Sequence, residues 1–246
     1  MLIALFADIH ANREALTACL DDAAKEDAES YVFLGDLVGY GPDPVWVVET
    51  VAGMVDKGAL AVMGNHDEAI FRDDVSLNPI ARAAIAWTRL QLKDEHRTFL
   101  KDLPLDLHQD DRLYVHASAC SPQDWIYTLG PREAFQGFRA TAQRVTFCGH
   151  THMPALFNEN ASQLPQAHRP ISGQPMPLLM QRRWIAVLGA VGQPRDRNPA
   201  ACYGLFDTAT SRLTYVRVPY DADLTARKIT AQKLPHALAV RLTTGS

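Results

Sequence analysis

Short apolar runs, each ending in a polar cluster, punctuate the first 150 residues. Residues 2–7 are continuously apolar and bounded by polar positions, which predicts a buried strand. Asn12 is placed to cap a following helix whose apolar positions, Ala15, Leu16, Cys19, Leu20 and Ala23, recur on one face. Residues 31–34 predict a second buried strand. Pro42 and Pro44 open a helix over 45–55, where the missing proline N–H costs nothing in the first turn. Gly58 ends that helix, and 59–63 predict a third strand. This β-α-β-α-β order implies parallel strands with crossover helices.

Beyond it, Asn78-Pro79 starts a helix with Ile80, Ala83, Ala84, Trp87 and Leu90 at helical spacing, and 95–102 predict a second, shorter one. Strands are expected at 112–115 and 145–148. The last third changes character. Residues 183–188, 202–207 and 213–218 look like antiparallel strands without helices between them, so a mixed second sheet is expected. Residues 153–181 hold five prolines (Pro154, Pro165, Pro170, Pro175 and Pro177) and read as an irregular surface excursion with room for a short hairpin. The tail is weakly helical around 237–242. One domain over 1–246 accommodates all of this.

The polar clusters carry the chemistry. Asp8-Ile9-His10, Gly35-Asp36, Gly64-Asn65-His66-Asp67, His116 and Gly149-His150-Thr151-His152 each follow an apolar run, where a strand ends and its loop begins. In an open α/β sheet the carboxyl ends of the strands form the ligand crevice. Asp8 and His10 are two apart, as are His150 and His152, so an extended backbone would point each pair the same way. Taken singly, such residues are ordinary turn or capping residues. Five clusters at five strand ends, holding five of the nine histidines, are not explained by turn chemistry. Carboxylates, an amide and imidazoles together suit a pair of divalent transition-metal ions (Mn, Fe, Zn or Co) better than Mg or Ca, which prefer oxygen alone. His96, His108, His168 and His236 sit in no comparable context and read as surface or structural.

Composition narrows the field. Apolar residues make up 47% of the 246, enough for a sizeable core, and the net charge of -4 argues against a global nucleic-acid or anionic-membrane binder. No run approaches the ~18–20 apolar residues of a membrane span, and the apolar N-terminus is too short for a signal peptide. The four cysteines form no C-x-x-C pair and read as free thiols of a cytoplasmic protein. Oligomeric state is not readable from the sequence.

The ordered set of blocks resembles the calcineurin-like metallophosphoesterase family, with its D-x-H, G-D, G-N-H-D/E, lone His and G-H-x-H. Residues 35–44, Asn78-Pro79-Ile80-Ala81-Arg82 and Val191-Gly192-Gln193-Pro194-Arg195-Asp196 resemble the small prokaryotic branch. The resemblance implies a four-layer αββα sandwich, an α/β fold of two mixed sheets packed face to face with helices outside. It implies one metal held by Asp8, His10 and His152 and another by Asn65, His116 and His150. Asp36 and a hydroxide nucleophile would bridge them, and His66, oriented by Asp67, would serve as general acid. The implied activity is hydrolysis of small-molecule phosphate esters, as phosphodiesterase or phosphatase. Two departures stand out. Ala11 replaces the usual Gly, a methyl expected to matter little, and Leu188-Gly189-Ala190-Val191-Gly192 lacks the hydroxyl of the usual Pro-Gly-Ser-Val-Gly. Tyr40 and Arg195 are candidates to line the pocket, Arg195 alternatively pairing with Asp196 or Asp207; Asn12 suits a helix cap better. The lack of a dense basic cluster near the motifs tilts the reading towards diesters. The competing class is a non-catalytic metal-binding scaffold. Scaffolds tend to lose ligands or the G-N-H histidine, whereas every one is kept here.

Overall fold

The computed structural model describes residues 1–159 and 165–246. In chain order the elements are β1 (Leu2–Phe6), α1 (Arg13–Lys25), β2 (Ser30–Phe33), α2 (Pro44–Val55), β3 (Leu60–Ala61), α3 (Asn65–Glu68), α4 (Pro79–Gln91), α5 (Asp94–Asp102), β4 (Asp106–Gln109), β5 (Arg112–Val115), α6 (Pro131–Ala140), β6 (Val145–Cys148), β7 (Ala155–Asn158), β8 (Gln166–His168), β9 (Met176–Pro177), β10 (Trp184–Val187), β11 (Ala201–Asp207), β12 (Arg212–Val218), α7 (Ala222–Ala231) and α8 (His236–Thr244).

They build two six-stranded mixed sheets, ordered β3-β2-β1-β11-β12-β9 and β4-β5-β6-β10-β7-β8. Alternation along the strands explains the layering. In β1 and just beyond it, Ile3, Leu5 and Ala7 enter the core shared by both sheets, while Ala4 and Phe6 face Leu16, Cys19, Val47 and Val51 of α1 and α2. In β10, Trp184 and Ala186 enter the shared core, while Ile185 and Val187 meet Ala134 and Phe138 of α6. Strands covered on both faces read as unbroken apolar runs, which is why they stood out in the sequence. The result is the expected α/β sandwich with helices outside.

Three expectations change. The strands of the last third do not share one sheet. β10 runs parallel to β6 in the second sheet, whereas β11 and β12 extend the first, antiparallel to β1. The buried face of α4 is offset from the expected one: Ala81, Ala84, Ile85 and Thr88 are buried, and Leu90 is 82% exposed. Ala81 and Ala84 lie against Leu234, Leu238 and Leu242 of the C-terminal region, where small residues admit a close approach. Helices α6 and α7 had no counterpart in the expected pattern. Within 153–181, the described residues form β7, β8 and β9, with β7 and β8 paired antiparallel as a hairpin; residues 160–164 lie outside the described residues.

Candidate metal centre

Parallel strands β1, β2, β5 and β6 end at one edge of the sandwich, and the polar clusters follow them there. Asp8, His10, Asp36, Asn65, His66, Asp67, His116, His150 and His152 are all buried. Asp8, His10, Asp36 and His152 offer donor atoms within 4.8 Å of one another, and so do Asp36, His116 and His150. Asp36 belongs to both groups.

The backbone brings them together differently from the extended arrangement expected. Asp8 (φ 54°), His10 (φ 49°), Asp36 (φ 52°), His150 (φ 67°) and His152 (φ 59°) are all left-handed. Strands β1 and β6 stop at Phe6 and Cys148, so left-handed turns, not strand alternation, converge the side chains. Asp and His tolerate this conformation better than most residues do.

Hydrogen bonds then fix each donor. The carbonyls of Val38, Leu34 and Gln193 lie 3.1, 2.7 and 2.6 Å from Nδ1 of His10, His116 and His152. A carbonyl only accepts, so each Nδ1 carries a proton; on His10 and His152 this leaves Nε2 presenting a lone pair, while the Nε2 of His116 turns towards Asp36. Burial keeps His10 and His152 well below the usual imidazole range. Yet their Nε2 atoms face each other at 3.1 Å, with Asp36 Oδ2 3.5 Å from the first and Asp8 Oδ1 3.6 Å from the second. Four electron-rich atoms converging on one point suit a cation among them. On the other side of Asp36, Nε2 of His116 lies 3.1 Å from Nδ1 of His150 and 3.4 Å from Asp36 Oδ2. Burial disfavours charge on His116, but Asp36 outweighs it and pushes the group up to about 9. Asn65 Oδ1 is buried without a hydrogen-bond partner among the described residues. The donors therefore fit metal ions on both sides of Asp36.

The backbone shapes both carboxylates. The His66 amide donates to Asp36 Oδ1 at 2.8 Å, leaving Oδ2 towards the imidazoles. The His150 amide donates to both oxygens of Asp8 at 3.0 Å. Asp67 is not the expected partner of His66. Its oxygens accept from the amides of Leu37 (2.9 Å), Val38 (3.2 Å) and Gly64 (3.0 Å), tying the Asp36 loop to the Asn65 loop. The His66 ring instead packs edge-on to His10 and against Tyr40, with centroids 4.8 and 4.4 Å away, and its Nδ1 lacks a partner among the described residues.

Sequence reasoning missed several neighbours. Tyr127 stacks on His150 at 3.9 Å, and Trp125 sets its edge against His116 while donating Nε1–H to Glu68 at 2.8 Å. Both aromatics lie in an irregular segment with no periodicity to flag them. Gln193 lies in a block the resemblance singled out, but its carbonyl role towards His152 was not legible. Asn12 caps α1 by accepting from the Ala15 amide and donates to the Gly192 carbonyl, so its part is structural.

A buried double cluster of imidazole and carboxylate at the carboxyl ends of parallel strands is the kind of site a metal-dependent hydrolase uses. The chain belongs to the calcineurin-like phosphoesterase superfamily, whose domain matches residues 1–211, and is a metallophosphoesterase. It is 38% identical to a metallophosphoesterase from Sphaerobacter thermophilus, with full coverage of both chains and a TM-score of 0.89. An uncharacterized protein of Methanocaldococcus jannaschii is 32% identical over 99% of this chain and 98% of its own. A hypothetical protein of Pyrococcus horikoshii OT3 shares the fold at a TM-score of 0.82 and 22% identity, over 100% of this chain and 98% of its own. Among the described residues, no helix is long and apolar enough to cross a membrane.

Proposed function

We propose that this chain hydrolyses small phosphate esters at a binuclear centre. One ion is held by Asp8, His10 and His152, the other by Asn65, His116 and His150, and Asp36 is shared. The observation that carries the proposal is the facing pair of unprotonated nitrogens on His10 and His152, 3.1 Å apart between two carboxylates. The mixed nitrogen and oxygen donors favour Mn, Fe, Zn or Co. Such ions, when bound, neutralise phosphoryl oxygens and lower the pKa of water so that hydroxide is available near neutral pH.

The protein's own groups do the rest. His66 stands outside both donor groups and beside them, and it protonates the leaving oxygen. Burial holds its proton affinity below the usual imidazole range, and Asp36 offsets this only in part. An arriving phosphate adds negative charge and so favours the protonated ring. Asp67 holds the loops that carry Asp36 and His66 in register. We treat residues 1–246 as one domain, because the sheets share a core. We assign it to the cytoplasm, where four cysteines without disulfides stay reduced.

Two variants test the site. Asp36→Asn is expected to lose metal and activity together; full activity in it contradicts the shared carboxylate. His66→Ala is expected to keep its metal and turn over slowly, most of all for esters with basic leaving groups. Equal slowing across leaving groups contradicts the acid role.

A further inference from the structure

Arg195 lies between β10 and β11, at the same edge as the metal cluster. Its amide donates to the His152 carbonyl at 3.3 Å, so its backbone is tied directly to that cluster. The guanidinium packs over the Tyr40 ring, Cζ 5.7 Å from the centroid, and Tyr40 in turn packs on His66 and His10. Nη2 donates to Gln193 Oε1 at 3.1 Å, and the same oxygen accepts from Arg241 of α8 at 3.5 Å. Gln193 thus holds His152 with its backbone and Arg195 with its side chain.

The charge of Arg195 has no carboxylate of its own. Asp196 pairs with Arg217, and Asp207 accepts from Thr210 and Ala209, which removes both ion-pair partners expected from the sequence. Among the described residues no acidic group lies within ion-pair distance of Arg195, and its Nε is buried without a partner. A partly buried guanidinium with spare donors, held by a neutral amide and an aromatic face, is built to receive an anion from outside.

We infer that Arg195 is a specificity-determining residue that binds a phosphate oxygen of the substrate and makes the site select phosphate monoesters over diesters. This rests on the phosphoesterase function proposed above. A diester has two non-bridging oxygens, and two ions can engage both. A monoester has a third oxygen and a second negative charge, which suit a guanidinium fork beside the metals. One well-placed arginine supplies the recognition that a dense basic cluster would otherwise provide, so the tilt towards diesters drawn from sequence reverses.

The test is direct binding to the Mn-loaded enzyme, wild type and Arg195→Gln, by isothermal titration. Inorganic phosphate stands for the monoester head and dimethyl phosphate for the diester. Metal content is measured alongside. The expected result is unchanged metal, a loss of about 10- to 100-fold in phosphate affinity, and a loss of less than about threefold for dimethyl phosphate. Arg195→Lys should recover part of the phosphate affinity, since it restores charge without the fork. Equal losses for both anions, or no loss for either, overturns the inference. The functional proposal fails separately: a wild-type enzyme that binds phosphate selectively through Arg195 but cleaves no phosphate ester sinks the hydrolase reading and leaves the recognition role standing.

Discussion

Gly39 offers the most direct handle on His66. Its φ is +83°, a left-handed value that any side chain would resist. A Cβ built there would sit 2.3 Å from His66 Nδ1 and 3.2 Å from Ile85 Cδ1, whereas ordinary contact begins at 3.4 Å. Gly39→Ala therefore pushes the imidazole back by about 1 Å, a misplacement that can cost on the order of 100-fold in rate at a reacting group. Left-handed alanine adds about 1–2 kcal/mol of destabilisation. His66 belongs to neither donor group, so the metal should stay. The assay is a cycle of four proteins: wild type, Gly39→Ala, His66→Ala and the double variant. Each is measured for metal content and for kcat on aryl phosphates of graded leaving-group basicity. If the methyl acts through the His66 ring, it slows the wild-type background about 100-fold and does almost nothing once the ring is gone. The same additional loss in both backgrounds refutes the reasoning, and loss of metal in the single variant refutes the assignment of His66 outside the donor set.

Other perturbations probe the surrounding shell. Asp67→Asn keeps one acceptor oxygen where three amides now donate, and a buried amide left unpaired costs about 1–3 kcal/mol; chemical denaturation should register that loss, and an unchanged midpoint contradicts the loop-tying role. Metal uptake should be pH-linked. Free of metal, His116 is held up to about 9 by Asp36 against burial, so below that pH an ion must displace its proton and apparent affinity rises with pH. Titration calorimetry in buffers of different ionisation enthalpy should record the released proton, and heats independent of buffer contradict it. Ala11→Gly relieves about 1–2 kcal/mol of left-handed strain at φ 50°. It also gives up a buried methyl, about 0.8 kcal/mol, and raises chain entropy, about 0.4–1 kcal/mol. The sum lies within about 1 kcal/mol of zero, so Tm should move by no more than about 2–4 °C.

Sequence made most of the first sheet and the convergence of the polar clusters legible because both depend on local patterns. Strands buried on two faces appear as unbroken apolar runs, and a loop at the carboxyl end of a parallel strand sits beside its neighbours' loops whatever the details. That is why Asp8, Asp36 and His150 could be brought together from positions up to 142 residues apart. Long-range pairing was harder. β10 and β11 are consecutive strands and both largely buried, yet join different sheets, a choice made by the partners available to each edge. The exposed side of α4 was misjudged for a related reason: the helix packs on a C-terminal hairpin that lies beyond the part of the chain matched to the family. Hydrogen-bond partners were least legible. Asp67 neighbours His66 in sequence but spends its carboxylate on three amides, because backbone donors buried by the close approach of two loops leave no alternative acceptor.

Seven of the fourteen non-glycine residues at positive φ among the described residues are Asp8, His10, Ala11, Asp36, Tyr40, His150 and His152. Such strain persists only where the surroundings over-determine it. Here the surroundings are identifiable: the His10 amide donates to the Asp36 carbonyl at 2.8 Å, the Ala11 amide to the Leu37 carbonyl at 2.8 Å, and the Gly192 amide to the Asp8 carbonyl at 2.9 Å. Each bond ties the Asp8–Ala11 turn to a neighbouring loop, so the turn cannot relax without moving another. The two donor groups are thus held in place against mutual repulsion by backbone. The Arg195 guanidinium is tied to the same network through the His152 carbonyl and Gln193, so its position relative to the donor groups is set by the fold and not by the substrate. In the role proposed for it, a group held that way discriminates by the number of oxygens it finds, and a diester with its oxygens already engaged would offer it none.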